Sequence, residues 1–577
     1  MDAEDVFDQR SSNSDILTNQ ASSSALTYFS QASSKVSDFA NEIVERKKKA
    51  KTDIMTPELA AALDRGNVSS RNAIFIIAAI LASLGINVED VNLSHATIHR
   101  SRIKFRTNIA QELKKDFQID NRYVVHWDGK ILSDIVDAKF VDRLPVVLSA
   151  GDADQLLGVP KMANGTAKNQ ASAIIDTLNQ WNVSSHVKAM CFDTTAVNTG
   201  IHNGTCAILE KTFGRELIYL PCRHHIFEII LKAVFDKYWP AQNGPNIPIF
   251  SRFKNIWNSI DQSKYKSGMA DETVANVLAE KRHELLVFIN NHLQVSHSRD
   301  DYKELLQLST IFLGSGSVYT FKRPGAMHHA RWMAKAIYSL KIFMFRDEFK
   351  LTVRETTGLR EVCIFVILFY IRAWFTATFA VMAPNNDLNL MQALLQYQRI
   401  NSSVSQSALR KMTSHLWYLT EELTPLSLFD DSVCVKIKKK IVEAIKNREG
   451  SIVQSKRYNI PENQVELLMH RDISDFASKK SLLLFEKFDL SYDFLDEDPE
   501  RWSDNGSFKE CSEFFRKLKV TNDVAERGVS LIEEYNKCLT KDEEQYQYLL
   551  QVVQKHRKRY PNCNKKNLVV TGSRFHD

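Results

Sequence analysis

Apolar and polar positions divide the chain into stretches of different period. Residues 1–50 follow no period. They are polar and Ser-rich and end in the basic run "ERKKKAK" (45–51), the pattern of a disordered tail carrying a nuclear-import signal. From residue 56 a helical spacing sets in. "TPELAAALDR" opens with Thr then Pro, a helix-start signal. "SSRNAIFIIAAILASLG" predicts a strongly apolar helix ended by Gly85, and "NLSHATIHRSRIKFRTNIAQELKK" a basic helix with Ser94 as its N-cap. Helix, short turn and basic helix is the outline of helix-turn-helix DNA binding, with Arg100, Arg102, Lys104 and Arg106 as the candidate contacts. The plainer alternative is a helical hairpin with a solvated basic face.

The texture then changes to short apolar runs bounded by turn residues. "RYVVHWDGKIL", "RLPVVLSAG" and "QLLGVPKMA" predict strands. "KNQASAIIDTLNQWNV" has helical spacing, with Ala173, Ile174, Leu178 and Trp181 on one face. "HVKAMCFD" predicts a strand, "NGTCAILEKTFG" a helix, "RELIYLP" a strand and "HHIFEIILKAVFDKYW" a long helix. This order predicts a mixed sheet with helices on its faces. From 248 to about 502 only helical patterns are expected, and further helices follow to the basic patch "KHRKRYPNCNKK" (555–566).

Composition narrows the picture little. The 577 residues correspond to roughly three to five domains, or to one domain with a large insertion. Glycine and proline are sparse, at 19 and 13, which argues against long coil, and the net charge of +6 identifies no partner. Eight cysteines without a C-x-x-C pair exclude a zinc ribbon and a disulfide framework, and point to a reducing compartment. The apolar run 362–382 is long enough to span a bilayer, but Arg372 at its centre would cost about 2.5–3.5 kcal/mol there. A buried core helix is the expectation, and no membrane association.

The candidate chemistry lies at strand ends. Asp128 falls within the first strand pattern and Asp193, in "MCFDTTAVNTG", ends the fourth. A β-β-β-α-β-α-β-α order with aspartates at these places is the ribonuclease H-like arrangement, in which the first and fourth strands are neighbours. Two-metal phosphoryl chemistry needs such carboxylates around cations ~3.5–4 Å apart, with hard Mg²⁺ preferring oxygen. Taken singly, Asp193 reads equally as a turn cap, and Asp523 with Glu526 as a helix N-cap pair. Cys222 and His225 lack a second ligand pair at zinc spacing.

Several blocks, in order, resemble the hAT-like superfamily of cut-and-paste DNA transposases. "FDTTAVNTG" is similar to the family's aspartate block (Asp193, Asn198), and "LPCRHHIFEIIL" to its C-x-x-H motif (Cys222, His225). "HHARWMAKAI" is similar to its Arg-Trp motif (Arg331, Trp332), and "NDVAERGVSLI" to the late Glu-Arg block, with Glu526 as the final acid. The chain departs from the family where Trp precedes Asp128 instead of following it, and where no zinc-finger module precedes the core.

The resemblance implies metal-dependent DNA strand cleavage and strand transfer. Asp128, Asp193 and Glu526 would be both catalytic and metal-binding, with Mg²⁺ (or Mn²⁺) as cofactor. Cys222, His225, Arg331 and Trp332 would bind DNA, the Trp stacking on a flipped base. Glu228 and Glu533 are reserve acids. DNA is the expected partner, the assembly a homo-oligomer and the compartment the nucleus. The alternatives are a domesticated, catalytically inactive nuclear DNA-binding protein and a structure-directed RNA nuclease on the same scaffold. The expected organisation is a disordered tail (1–52), a helical DNA-binding region (53–115), a ribonuclease H-like core begun over 116–247 and completed over 506–577, and an all-α insertion (248–505) between its parts.

Overall fold

The computed structural model describes residues 51–117, 122–136, 139–151, 153–240, 247–295, 297, 299–315, 320–325, 333–452, 455–535 and 539–560. The side chains of Val524, Glu526, Arg527 and Ser530 lie outside this description. The chain separates into two units, residues 1–56 with 70–101 and residues 57–69 with 102–577.

The first helices form where the apolar spacing puts them: α1 Pro57–Arg65, α2 Ser70–Ser83 and α3 His95–Asp116. Gly85 takes a φ of +73°, and the Ile86 N–H returns to the Leu81 carbonyl at 2.9 Å, which closes α2. The Ser94 hydroxyl accepts the Thr97 N–H at 3.1 Å and caps α3 as expected. In α2, Ala73, Ile77 and Leu81 form a buried stripe, whereas Phe75, Ile76 and Ile80 are exposed.

Six strands follow: β1 Tyr123–Trp127, β2 Lys130–Ser133, β3 Phe140–Arg143, β4 Val146–Ala150, β5 Ala153–Gly158 and β6 Lys161–Met162. Then come α4 Ala167–Gln180, β7 Val187–Phe192, α5 Ala196–Thr199, α6 Thr205–Phe213, β8 Ile218–Pro221 and α7 Arg223–Tyr238. The main sheet has five strands in the order β5-β4-β1-β7-β8. β4 is antiparallel to both β5 and β1, while β1, β7 and β8 run parallel.

The sequence pattern predicts one strand over 122–132 with Asp128 inside it. The structure breaks it at residues 128–129, so Asp128 follows β1 instead of lying within it. β2 leaves the main sheet and joins β3 and β6 in a second, three-stranded sheet. β1 is buried throughout and β2 is not, so the break marks the edge of the core.

Successive residues of a strand face opposite sides, and both sides of the main sheet are covered. Val147 and Leu156 share a cluster with Ile532, Tyr546 and Leu550 from two late helices, Asp523–Tyr535 and Glu543–Arg559. Leu148 and Leu157 belong to the larger cluster with Ala171, Ile174 and Leu178 of α4. The late helices thus return to the sheet after a long helical insertion. Between α7 and residue 517 every named element among the described residues is helical.

Within the insertion the apolar run 362–382 is not one rod. The helix Val353–Phe365 passes through a π-helical turn, Val366–Tyr370, into Ile371–Phe375. Most of this run is buried, and Arg372 turns outward to Glu284 at 2.5 Å. Among the described residues no single helix is long and apolar enough to cross a membrane. The architecture is α/β plus α: a small mixed sheet covered on both faces, together with many helices.

Candidate acidic site

β1 and β7 are adjacent parallel strands in which His126 pairs with Cys191. Two residues beyond that pair, just past the end of each strand, lie Asp128 and Asp193. Both aspartates therefore follow the carboxyl ends of neighbouring strands, which lie ~4.8 Å apart. Asp128 pairs with Lys130 Nζ at 3.2 Å.

The loop after β7 is held by its own motif. Asn198 Nδ2 donates to the Asp193 carbonyl at 3.0 Å, and Asn198 Oδ1 accepts from Trp127 Nε1 at 3.1 Å. Asn198 thus stitches the exit of β7 to the end of β1. A Cβ on Gly204 would lie within 2.7 Å of backbone atoms of Asn198 and Gly200, so this tight loop excludes any side chain there. Asp193 Oδ2 is 3.5 Å from His225 Nδ1. Asp193 Oδ1 and the Thr194 hydroxyl are buried and have no hydrogen-bond partner among the described residues.

A third segment arrives from far along the chain. Asn522 Nδ2 donates to the Trp127 carbonyl at 2.6 Å, and the Asn522 N–H donates to Cys222 Sγ at 3.1 Å. The Arg223 N–H donates to the Val520 carbonyl at 3.0 Å. These bonds bring the start of the helix Asp523–Tyr535 to the ends of β1 and β8. Glu526 lies in the first turn of that helix, with its side chain outside the described residues.

Asp523 itself points into a buried network. Its Oδ1 is 2.9 Å from His224 Nδ1, and its Oδ2 accepts the Tyr302 hydroxyl at 3.1 Å. His224 Nε2 is 3.0 Å from the Trp374 carbonyl, and the imidazole stacks on the Trp374 indole at 3.8 Å. Burial raises the Asp523 carboxyl, but His224 and Tyr302 outweigh it and hold the group below the usual range. Sequence reasoning passed over His224, because its neighbour His225 carries the motif and nothing local separates the two. The helix does separate them: His224 is enclosed and His225 is half-buried.

Two expectations need correction. Cys222, expected at DNA, is fully enclosed. Its thiol is pushed well above the usual range by burial and by the nearby charge of Asp193, and its sulfur serves Asn522. Arg102 and Arg106, expected at phosphate, are buried on Asp64, with Nε–Oδ distances of 2.8 and 2.7 Å. Ile98, Arg102, Arg106 and Ala110 recur every four residues and form the buried stripe of α3, which leaves Arg100 and Lys104 exposed on the other side.

Arg331 and Trp332 lie outside the described residues. The next residue, Met333, donates its N–H to Glu228 Oε1 at 2.7 Å, one turn beyond His225 on α7. Glu228 Oε1 also accepts the Tyr370 hydroxyl, so this reserve acid is engaged. The side chain of Glu533 is exposed. Among the described residues no group of three His, Cys, Asp or Glu side chains could hold a metal ion. No family model matches the chain, and no curated protein does.

Proposed function

We propose that the protein is a hAT-like DNA transposase built on a ribonuclease H-like core, cleaving and joining DNA strands at the acidic site. The reading is carried by the pairing of His126 with Cys191, from which Asp128 and Asp193 each follow two residues on, past the ends of two parallel strands. Further support comes from the strand order, with the antiparallel hairpin β4-β5 on one side of β1 and two parallel strands on the other. The large helical insertion before the helix that bears Glu526 fits the same plan.

The donor set suits a hard divalent cation. Among the described residues Asp193 Oδ1 is a buried carboxylate oxygen without a partner, and burying such an atom is costly unless something binds it. Asp128, Asp193 and Glu526 would hold Mg²⁺ or Mn²⁺, which when bound supplies an activated water and charge stabilisation at phosphorus. Asn198 and Asn522 fix the backbone beside the first two acids. His225, half-buried and 3.5 Å from Asp193 Oδ2, would orient that carboxylate. Arg100 and Lys104 remain for DNA contact, with Arg331 and Trp332 proposed for the flipped base. The exposed apolar residues of α2 are consistent with a homo-oligomer, and the basic run at 45–51 with the nucleus.

The second reading, an inactive nuclear DNA-binding derivative, is favoured by the Asp128–Lys130 pair, which occupies one of the acids. A cleavage assay on labelled element ends in Mg²⁺ or Mn²⁺ decides between them. Wild type should nick and Asp193→Asn should not, with DNA binding retained in both. Binding without nicking by wild type would select the inactive reading, and nicking by purified Asp193→Asn would remove Asp193 from the chemistry.

A further inference from the structure

A cavity of about 500 Å³ opens on the helical insertion, lined by Arg410, Thr413, Ser414, Arg457, Asn459 and Glu462 among others. Packing contacts connect it to the elements of the acidic site by two routes. The Trp417 ring packs edge-on against Phe192, the residue before Asp193, at 6.5 Å, and the Arg457 guanidinium lies 5.7 Å from the Trp417 ring. By the second route, the helix Ser402–Thr413 packs along α7, which carries His225. His415 follows that helix, with its Nδ1 3.0 Å from the Ser414 hydroxyl. Burial lowers His415 to about 4, with smaller effects from Lys411, His225 and Arg457, so His415 lies within electrostatic reach of both the acidic site and the cavity.

The lining matches a phosphodiester. Two guanidiniums supply charge and paired donors, and Thr413, Ser414 and Asn459 offer neutral polar groups. Arg457 is oriented by its bond to the Ser414 carbonyl at 3.0 Å and by Trp417 beneath it. Among the described residues Arg410 is held by a 3.7 Å pair with Glu462 alone, both side chains being more than three-quarters exposed. Such a pair contributes little and gives way to a phosphate.

We propose that this groove binds the sugar-phosphate backbone of the DNA strand where it leaves the acidic site past His225. The proposal rests on the DNA-strand reading above, but its test reads binding and not cleavage. DNA affinity is measured against salt for wild type, Arg410→Ala, Arg457→Ala and the double variant. Each lost phosphate contact should flatten the slope of log K against log salt by about 0.9, and the double variant by about twice that. Arg354→Ala, an exposed cation on another helix, should leave the slope unchanged. Arg410 is exposed enough that its variant will fold. Unchanged slopes in both single variants, or an equal loss in Arg354→Ala, would overturn the groove while leaving the acidic site intact. Failure of wild type to bind DNA at all would overturn both.

Discussion

His126 sits two residues before Asp128 on the central strand and is fully buried, with Nε2 2.7 Å from the Ser149 hydroxyl. Burial lowers it from 6.5 to about 4, with Asp154 and Lys519 as the nearby charges. The folded state therefore resists the proton that the unfolded chain accepts near pH 6.5. When the unfolded state binds more protons, stability falls with falling pH. The loss begins as pH drops below about 6.5 and levels off near 4. A shift of about 2.5 units at 1.36 kcal/mol each sets a limit of roughly 3.4 kcal/mol, of which about 2 kcal/mol is lost by pH 5. Denaturant unfolding of wild type and His126→Gln at pH 7.5 and pH 5 isolates this group, because other titrations are common to both proteins. The wild type should lose about 2 kcal/mol more than the variant over that interval. Equal losses would mean that His126 titrates in the folded state as it does in the unfolded one, and the inferred desolvation at the end of β1 would be wrong.

Other substitutions test single links. Asp64→Ala leaves the buried Arg102 and Arg106 without their shared carboxylate and should cost about 3–5 kcal/mol, read as a large drop in thermal midpoint. Asn198→Ala removes the stitch between Trp127 and the Asp193 carbonyl. It should cost about 1–3 kcal/mol and slow strand cleavage more than it weakens DNA binding, both measured on the same substrate. Arg100→Ala and Lys104→Ala should each flatten the salt dependence of DNA affinity by about 0.9, and unchanged slopes would remove α3 from the DNA interface.

Much of the main sheet and its neighbouring helices is legible in the local pattern, because their signals are local. Pro57, Gly85 and Ser94 mark helix ends through backbone chemistry that needs no distant partner, and the apolar runs of β1, β4, β5 and β7 mark a buried sheet. The misses involve distant partners. Arg102 and Arg106 look like solvent-facing cations until Asp64, 38 and 42 residues away, is placed beside them. The His224–Asp523 contact spans 299 residues, beyond any periodicity. β3 is short and half-exposed, so it lacks an apolar run, and β2 continues β1 in sequence while leaving its sheet. At the candidate site, Asp193 was legible from the end of its strand, and the role of Asn522 was not.

That division bears on what holds the acids in place. Asn198 bonds the carbonyl of Asp193, Asn522 bonds the carbonyl before Asp128, and His224 ties the residue that opens the helix of Glu526. Each bond is made beside an acid, and none uses the carboxylate of Asp128, Asp193 or Glu526. The fold thus positions Asp193 with few bonds to its charge: among the described residues Oδ1 has no partner, and Oδ2 approaches His225 at 3.5 Å. Asp193→Asn removes a half-buried carboxylate with one buried, unpartnered oxygen among the described residues and keeps the shape. It should therefore melt at the wild-type temperature or above it while losing cleavage, the trade expected where a site is kept at the expense of stability. Thermal unfolding of the two proteins in metal-free buffer checks this. A clear fall in the midpoint would mean that the carboxylate supports the loop itself, and Asp193 would then belong to the structure and not to the chemistry.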